Sequence, residues 1–214
     1  MPRRMPALAQ HFRVACDDAS RLAVAGEQIR VKGDSQIRSE MTVSRLEYLY
    51  EIAFLRMFLA WETFLEESFV RYMCGCCGLV GQPQTAVSGA YSPSISHARA
   101  VLHGNQHYLL WHSPAKVAAR SKMTFVNGLH EVVLASNQSR IDCFASVRHR
   151  IAHAQLDARN KFDSATMNLA GRRYPASRVG RFLRDSDPSQ PLPTRWIDAI
   201  ANELVALAQQ VAPP

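Results

Sequence analysis

Residues 42–73 keep helical spacing without a break and carry apolar side chains on nearly every face. Leu46, Leu49, Tyr50, Ala53, Met57, Ala60, Trp61, Phe64 and Phe69 leave little of such a helix polar. A helix that is hydrophobic most of the way round has to be covered most of the way round. In a chain of 214 residues this predicts its own core on one side and another subunit on the other. The most apolar run, Ile52 to Trp61, is interrupted by Arg56 and bounded by Glu51 and Glu62, too short to span a bilayer. Gly75 and Gly78 end the helix.

The remaining periodicity is also helical. Leu8, Phe12, Ala15, Ala19, Leu22 and Ala23 predict a helix over 6–29, ended by the tract Lys32-Gly33-Asp34-Ser35. Residues 78–120 are rich in Gly, Ser, Pro and His, with room for a short helix at 94–102 and another opening at Pro114. Asn137 is placed to cap a helix over 139–155, a further helix at 158–169 stops at Gly171, and Thr194 is placed to cap a last one through Ile197, Ile200, Leu204 and Leu207. There is no internal repeat. The pattern predicts one all-α domain over 1–214 with a loop-rich insertion at 78–120.

The chain holds 25 Lys+Arg against 18 Asp+Glu, a formal charge of +7, and is 47% hydrophobic. That excess suits an anionic partner without choosing between nucleic acid and a membrane surface. The start MPRRMPALAQHF lacks the apolar stretch of a signal peptide, and five cysteines (Cys16, Cys74, Cys76, Cys77, Cys143) show no disulfide framework, so the cytoplasm is the expected location.

On a helical wheel of residues 141–155, Ile141, Phe144, Val147, Ile151 and Ala154 form the core face. His149 and His153 lie opposite, one turn apart, beside Ala145, Ala152 and Asp142, with Arg148 and Arg150 on the flanks. Alanines on a second face admit a neighbouring backbone, so the histidines are expected to line a cleft between helices, or between two copies across a two-fold axis. A permanent cation next to groups that titrate near neutrality suits chemistry on a phosphodiester.

Arg148, four intervening residues and His153, within the string RHRIAHA, resemble the signature of the HEPN superfamily, all-α nucleic-acid-processing domains many of which are metal-independent ribonucleases. Ala60-Trp61-Glu62-Thr63-Phe64 resembles the second helix of the RiboL-PSP-type branch, and Gly171-Arg172-Arg173-Tyr174-Pro175 followed by Val179-Gly180-Arg181-Phe182-Leu183 resembles its C-terminal part. The likeness covers most of residues 40–210. The family's common form has Asn where this chain has His149, which leaves that position's role open.

The resemblance implies a HEPN-like bundle of up-and-down core helices, composite sites across a homodimer and a prokaryotic toxin or phage-defence setting with a regulatory or antitoxin partner. It implies RNA cleavage by 2′-hydroxyl attack to a 2′,3′-cyclic phosphate, with no cofactor and no metal. His153 would be general base or acid, Arg148 would hold the phosphate, and His149 would orient it or move the second proton. Two rivals stand beside this: a non-catalytic HEPN module binding RNA or protein, and a structural or antitoxin-paired subunit.

Other readings of the same residues stay open. His149 and His153 also have the spacing of a helical metal pair, for which Asp142 is the nearby third ligand. Cys74-Gly75-Cys76-Cys77 is half a zinc site or a set of idle thiols. Glu62 is a boundary residue or a buried carboxylate supporting Arg148 or Arg56. The segment 97–122 (His97, Arg99, His103, His107, Tyr108, Trp111, His112, Lys116, Arg120, Lys122) interleaves aromatics and cations as single-stranded RNA binding does, or is a solvated loop. Arg150, Arg172, Arg173, Arg178, Arg181 and Arg184 are phosphate contacts or a solvated face.

Overall fold

In the computed structural model of the chain, which describes residues 3–77 and 83–213, that periodicity becomes ten α-helices among the described residues, about 71% helix with almost no strand. They are α1 (Leu8–Lys32), α2 (Ser35–Glu40), α3 (Val43–Met73), α4 (Ile95–His103), α5 (Pro114–Thr124), α6 (Leu129–Ser136), α7 (Gln138–Ala152), α8 (Leu156–Ala170), α9 (Val179–Arg184) and α10 (Trp196–Val211). The strand content is one two-residue parallel pair, β1 (Arg3–Arg4) with β2 (Cys76–Cys77). No helix among the described residues is long and apolar enough to cross a membrane. The protein is an all-α helical bundle.

Local chemistry sets most boundaries. The tract after Lys32 does end α1, but Asp34 at once opens α2, accepting the Ile37 N–H at 2.9 Å. Ser94 caps α4 through the His97 N–H, and Pro114 stands in the first turn of α5. Gly171 closes α8 in the left-handed conformation, φ +67°. Residues 83–120 are thus less irregular than predicted, while Gly78 lies outside the described residues.

Asn137 closes α6, its Nδ2 donating to the Val133 carbonyl at 2.8 Å, while its own carbonyl accepts the Ile141 N–H at 3.1 Å at the start of α7. Two expectations are corrected. Thr194 does not cap α10, because its hydroxyl donates backwards to Leu192 O and the Trp196 N–H is taken by the Asp185 carbonyl. And α7 stops at Ala152, so Ala154, placed on the core face by the wheel, is exposed and Ile151 is only half-buried.

Packing groups the chain into two compact units, and α1, α3, α7 and α10 each contribute to both. The first comprises residues 1–13, 61–141 and 205–214. Its core stacks Phe12 on Phe64 and tilts it against Trp61, and sets Phe69 against Trp111, Phe125 and His130 with ring centroids 5.1–5.7 Å apart. The second comprises residues 14–60 and 142–204. Leu46, Tyr50, Phe54 and Phe58 of α3, Phe144 and Val147 of α7, Phe162 of α8 and Trp196 of α10 are fully buried there. Phe182 of α9 stacks on Trp196 at 5.2 Å. Within this unit α9 sits on α3 so closely that a side chain at Gly180 would run into the Glu47 carbonyl oxygen. The Gly180 N–H donates to Glu51 Oε1 at 2.9 Å.

The long helix keeps a second apolar face. Tyr48, Ile52 and Leu59 of α3 are exposed and share one side at helical spacing.

Candidate active site

The last turns of α7 carry Arg148 and His149, both half-buried, and His153 follows just past the helix end, exposed. The i, i+4 spacing survives that ending because the His153 N–H still donates to the His149 carbonyl at 3.0 Å. The two imidazoles meet with centroids 4.5 Å apart and planes at 50°. Arg150 reaches forward to donate from Nη1 to the His153 carbonyl at 3.0 Å, so a cation satisfies one of the orphan acceptors of the terminus.

The His149 ring is held below the usual histidine range. Partial loss of water contributes most, followed by the nearby charges of His153, Lys161 and Arg148, with Asp157 opposing them. Arg148 and His153 therefore both act on the same imidazole. Lys161 and Asp157, an exposed ion pair at 2.7 Å on the first turns of α8, complete the electrostatic surroundings. A ring kept neutral near pH 7 can accept a proton, and a guanidinium alongside can hold an anion.

Asp142 lies on α7, exposed. Among the described residues no three His, Cys, Asp or Glu side chains gather where one metal ion could be held, so the His149–His153 pair does not acquire the third ligand that a metal reading requires. Cys74, Cys76 and Cys77 are buried and form no disulfide among the described residues. Glu62 is buried in the first unit, where the Tyr108 hydroxyl donates to Oε2 at 2.8 Å.

The arginines divide into two groups. Arg178 pairs with Glu47, whose side chain is only 8% exposed, and Arg150 bears on the neighbouring carboxylate Glu51. Burial, the leading effect, raises the Glu51 carboxyl above its usual range against the pull of the Gly180 N–H, Arg150 and Arg178. Of the expected phosphate contacts, Arg178 is thus committed to a carboxylate of α3, and Arg150 acts on another through its charge. Arg172, Arg173 and Arg181 instead line an open cavity of about 590 Å³ with Arg184, Arg195 and Glu27; its walls include none of Arg148, His149 and His153.

The segment 97–122 is an ordered part of the first unit. Trp111 is buried against Phe69 with Arg120 stacked 5.0 Å from its ring centroid, so it offers no face for a base. Arg99 pairs with Glu67 and His103 with Glu66. Exposed Tyr108 stacks on half-buried His112 at 6.5 Å.

Sequence reasoning missed Lys161 and Asp157, and the acidic partners Glu27, Glu47 and Glu51. The last two had a usable signal, since carboxylates one turn apart on an otherwise apolar helix have to find cations.

Comparison of the chain with protein-family models, with curated proteins and with solved structures returns no match.

Proposed function

We propose that this chain is a metal-independent endoribonuclease of the HEPN type, with Arg148, His149 and His153 as its catalytic residues. The observation that carries the proposal is the 4.5 Å imidazole pair with a guanidinium acting on the same ring. His149, whose protonation is disfavoured, takes the proton of a ribose 2′-hydroxyl as the 2′-oxygen bonds to phosphorus. The bond from phosphorus to the 5′-oxygen breaks, and protonated His153 returns a proton to that leaving oxygen. Arg148 binds the non-bridging oxygens, where charge grows in the transition state. The products are a 2′,3′-cyclic phosphate and a 5′-hydroxyl, so atoms and protons balance without an added group.

Two further features support the reading. The net charge of +7 suits a polyanionic substrate. The exposed stripe Tyr48, Ile52 and Leu59 suits a homodimer in which α3 meets its copy.

The test is cleavage of single-stranded RNA in excess EDTA. Wild type is expected to cut, His153→Ala to bind RNA but not cut, and a strand with 2′-deoxy sugars to stay intact. Binding without cleavage by wild type would make the chain a non-catalytic RNA-binding module. Cleavage that needs added magnesium would point to a metal enzyme.

A further inference from the structure

The arginine-lined cavity lies outside the proposed catalytic residues, and its chemistry is distinct. Five arginines and two carboxylates line a space of about 590 Å³, leaving three positive charges in excess. That volume falls in the range of small-ligand sites. The carboxylates act as braces. Glu27 accepts from Arg184 Nε at 2.8 Å and from the Tyr50 hydroxyl at 3.1 Å, and pairs with Arg195 at 3.2 Å. Asp185 pairs with Arg172 and accepts from the Tyr174 hydroxyl at 2.6 Å. Burial alone would raise the Glu27 carboxyl, but Arg184 and Arg195, with Tyr50, overcome it and keep the brace ionised.

Each guanidinium has five N–H donors, more than these carboxylates use. Arg173 and Arg181 are exposed at the cavity and carry no ion pair among the described residues. A rigid wall of three braced cations facing two unengaged ones suits a ligand of several negative charges whose oxygens match the guanidinium fork. A single phosphodiester, with one charge, would leave most of the excess unmet. The aromatic groups are already occupied. Arg172 covers the Tyr174 ring at 5.1 Å, Phe182 meets it edge-on at 5.4 Å, and Arg195 covers the buried Tyr50 at 5.7 Å. No aromatic face is left to stack a base.

We propose that this cavity is a receptor for an oligophosphate group, two or more linked phosphates, gripped by Arg173 and Arg181 against the wall of Arg172, Arg184 and Arg195 and recognised without regard to any attached base. The group can come from a free nucleoside polyphosphate or from the 5′-triphosphate end of an RNA strand. The site does not rest on the ribonuclease reading and can stand if that fails.

Calorimetric titration of the full chain at about 0.15 M salt tests it, with inorganic tripolyphosphate, orthophosphate, ATP, GTP and adenosine as probes. Tripolyphosphate is expected to bind at least roughly tenfold more tightly than orthophosphate, ATP and GTP to bind about equally, and adenosine not to bind. The double variant Arg173→Ala, Arg181→Ala is expected to lose at least roughly tenfold in tripolyphosphate affinity with an unchanged circular dichroism spectrum. Competition by ATP but not by 5′-triphosphate RNA assigns the site to free nucleotides. Competition by both, but not by the same RNA with a 5′-hydroxyl, assigns it to RNA ends as well. Equal affinity for tripolyphosphate and orthophosphate, undiminished binding by a folded double variant, or binding of adenosine would overturn the proposal.

Discussion

His130 in the first unit and the His149–His153 pair in the second put one side chain to opposite uses. His130 is fully buried, its Nε2 lying 2.9 Å from Ser68 Oγ and 3.2 Å from the Leu65 carbonyl oxygen, while its Nδ1 has no hydrogen-bond partner among the described residues. Loss of water pushes the ring down to about 3, with the Leu65 carbonyl pulling weakly the other way. It stays neutral at any physiological pH and serves as a polar member of an aromatic core, set edge-on against Phe69 at 5.1 Å. His149 is lowered for the same first reason but keeps access to water, and His153, Lys161 and Arg148 lower it further against the pull of Asp157. Depth of burial separates an imidazole that packs from one able to work.

The sharpest way to break that contrast is to truncate each ring in turn. His153→Ala is expected to reduce RNA cleavage by at least about 100-fold, with stability changed by no more than about 0.5 kcal/mol, since it lies exposed beyond a helix end. His130→Ala is expected to do the reverse, costing about 2–4 kcal/mol in urea unfolding by opening a cavity in the core. Cleavage assays and denaturation curves on the two proteins check this; equal stability losses would erase the distinction.

Acid supplies the next test. The unfolded chain protonates His130 near 6.5, whereas the folded chain does so only at about 3. Between those values the unfolded state binds more protons, so stability from this residue is complete above pH 6.5 and is lost as pH falls towards 3, by up to about 4 kcal/mol. Unfolding curves for His130→Leu should show a shallower decline over that window than wild type; parallel curves would place the acid sensitivity elsewhere.

A smaller effect is expected at the α3–α9 contact that supports the second unit. Gly180→Ala would press a methyl group on the Glu47 carbonyl and disturb the Glu51 bond, costing about 1–3 kcal/mol by thermal melting. The smallest effect concerns the pair itself. A titration followed by nuclear magnetic resonance should find His149 below the usual histidine range and moved upward in His153→Ala, because one nearby positive charge is gone. No movement would mean the two rings do not sense each other.

The long helix, the buried arc Ile141–Phe144–Val147, the short helix near 94–102 and the stop at Gly171 were legible because each follows from spacing or from one residue's backbone preference. The short α2, α6 and α9 were not, being six to eight residues long and too brief to show a period. In the second unit the wheel brought His149 and His153 together correctly, since i, i+4 neighbours meet on any helix. It could not foresee Lys161 and Asp157, which arrive through the turn into α8, nor divide the arginines between the carboxylates of α3 and the open cavity. Those outcomes depend on which helices pack together. Burial of Trp111 and His130 was equally invisible, as nothing in a short apolar string says how deep it lies.

The central claim is that the Arg148–His149–His153 cluster transfers protons around a phosphodiester, and the chemistry of the cut ends tests it most directly. Wild type and His153→Ala are incubated with a defined single-stranded RNA in EDTA and the fragments weighed by mass spectrometry. The account predicts 2′,3′-cyclic phosphate and 5′-hydroxyl ends from wild type and intact RNA from the variant. Identical fragments from both proteins, or 3′-hydroxyl and 5′-phosphate ends, would contradict it.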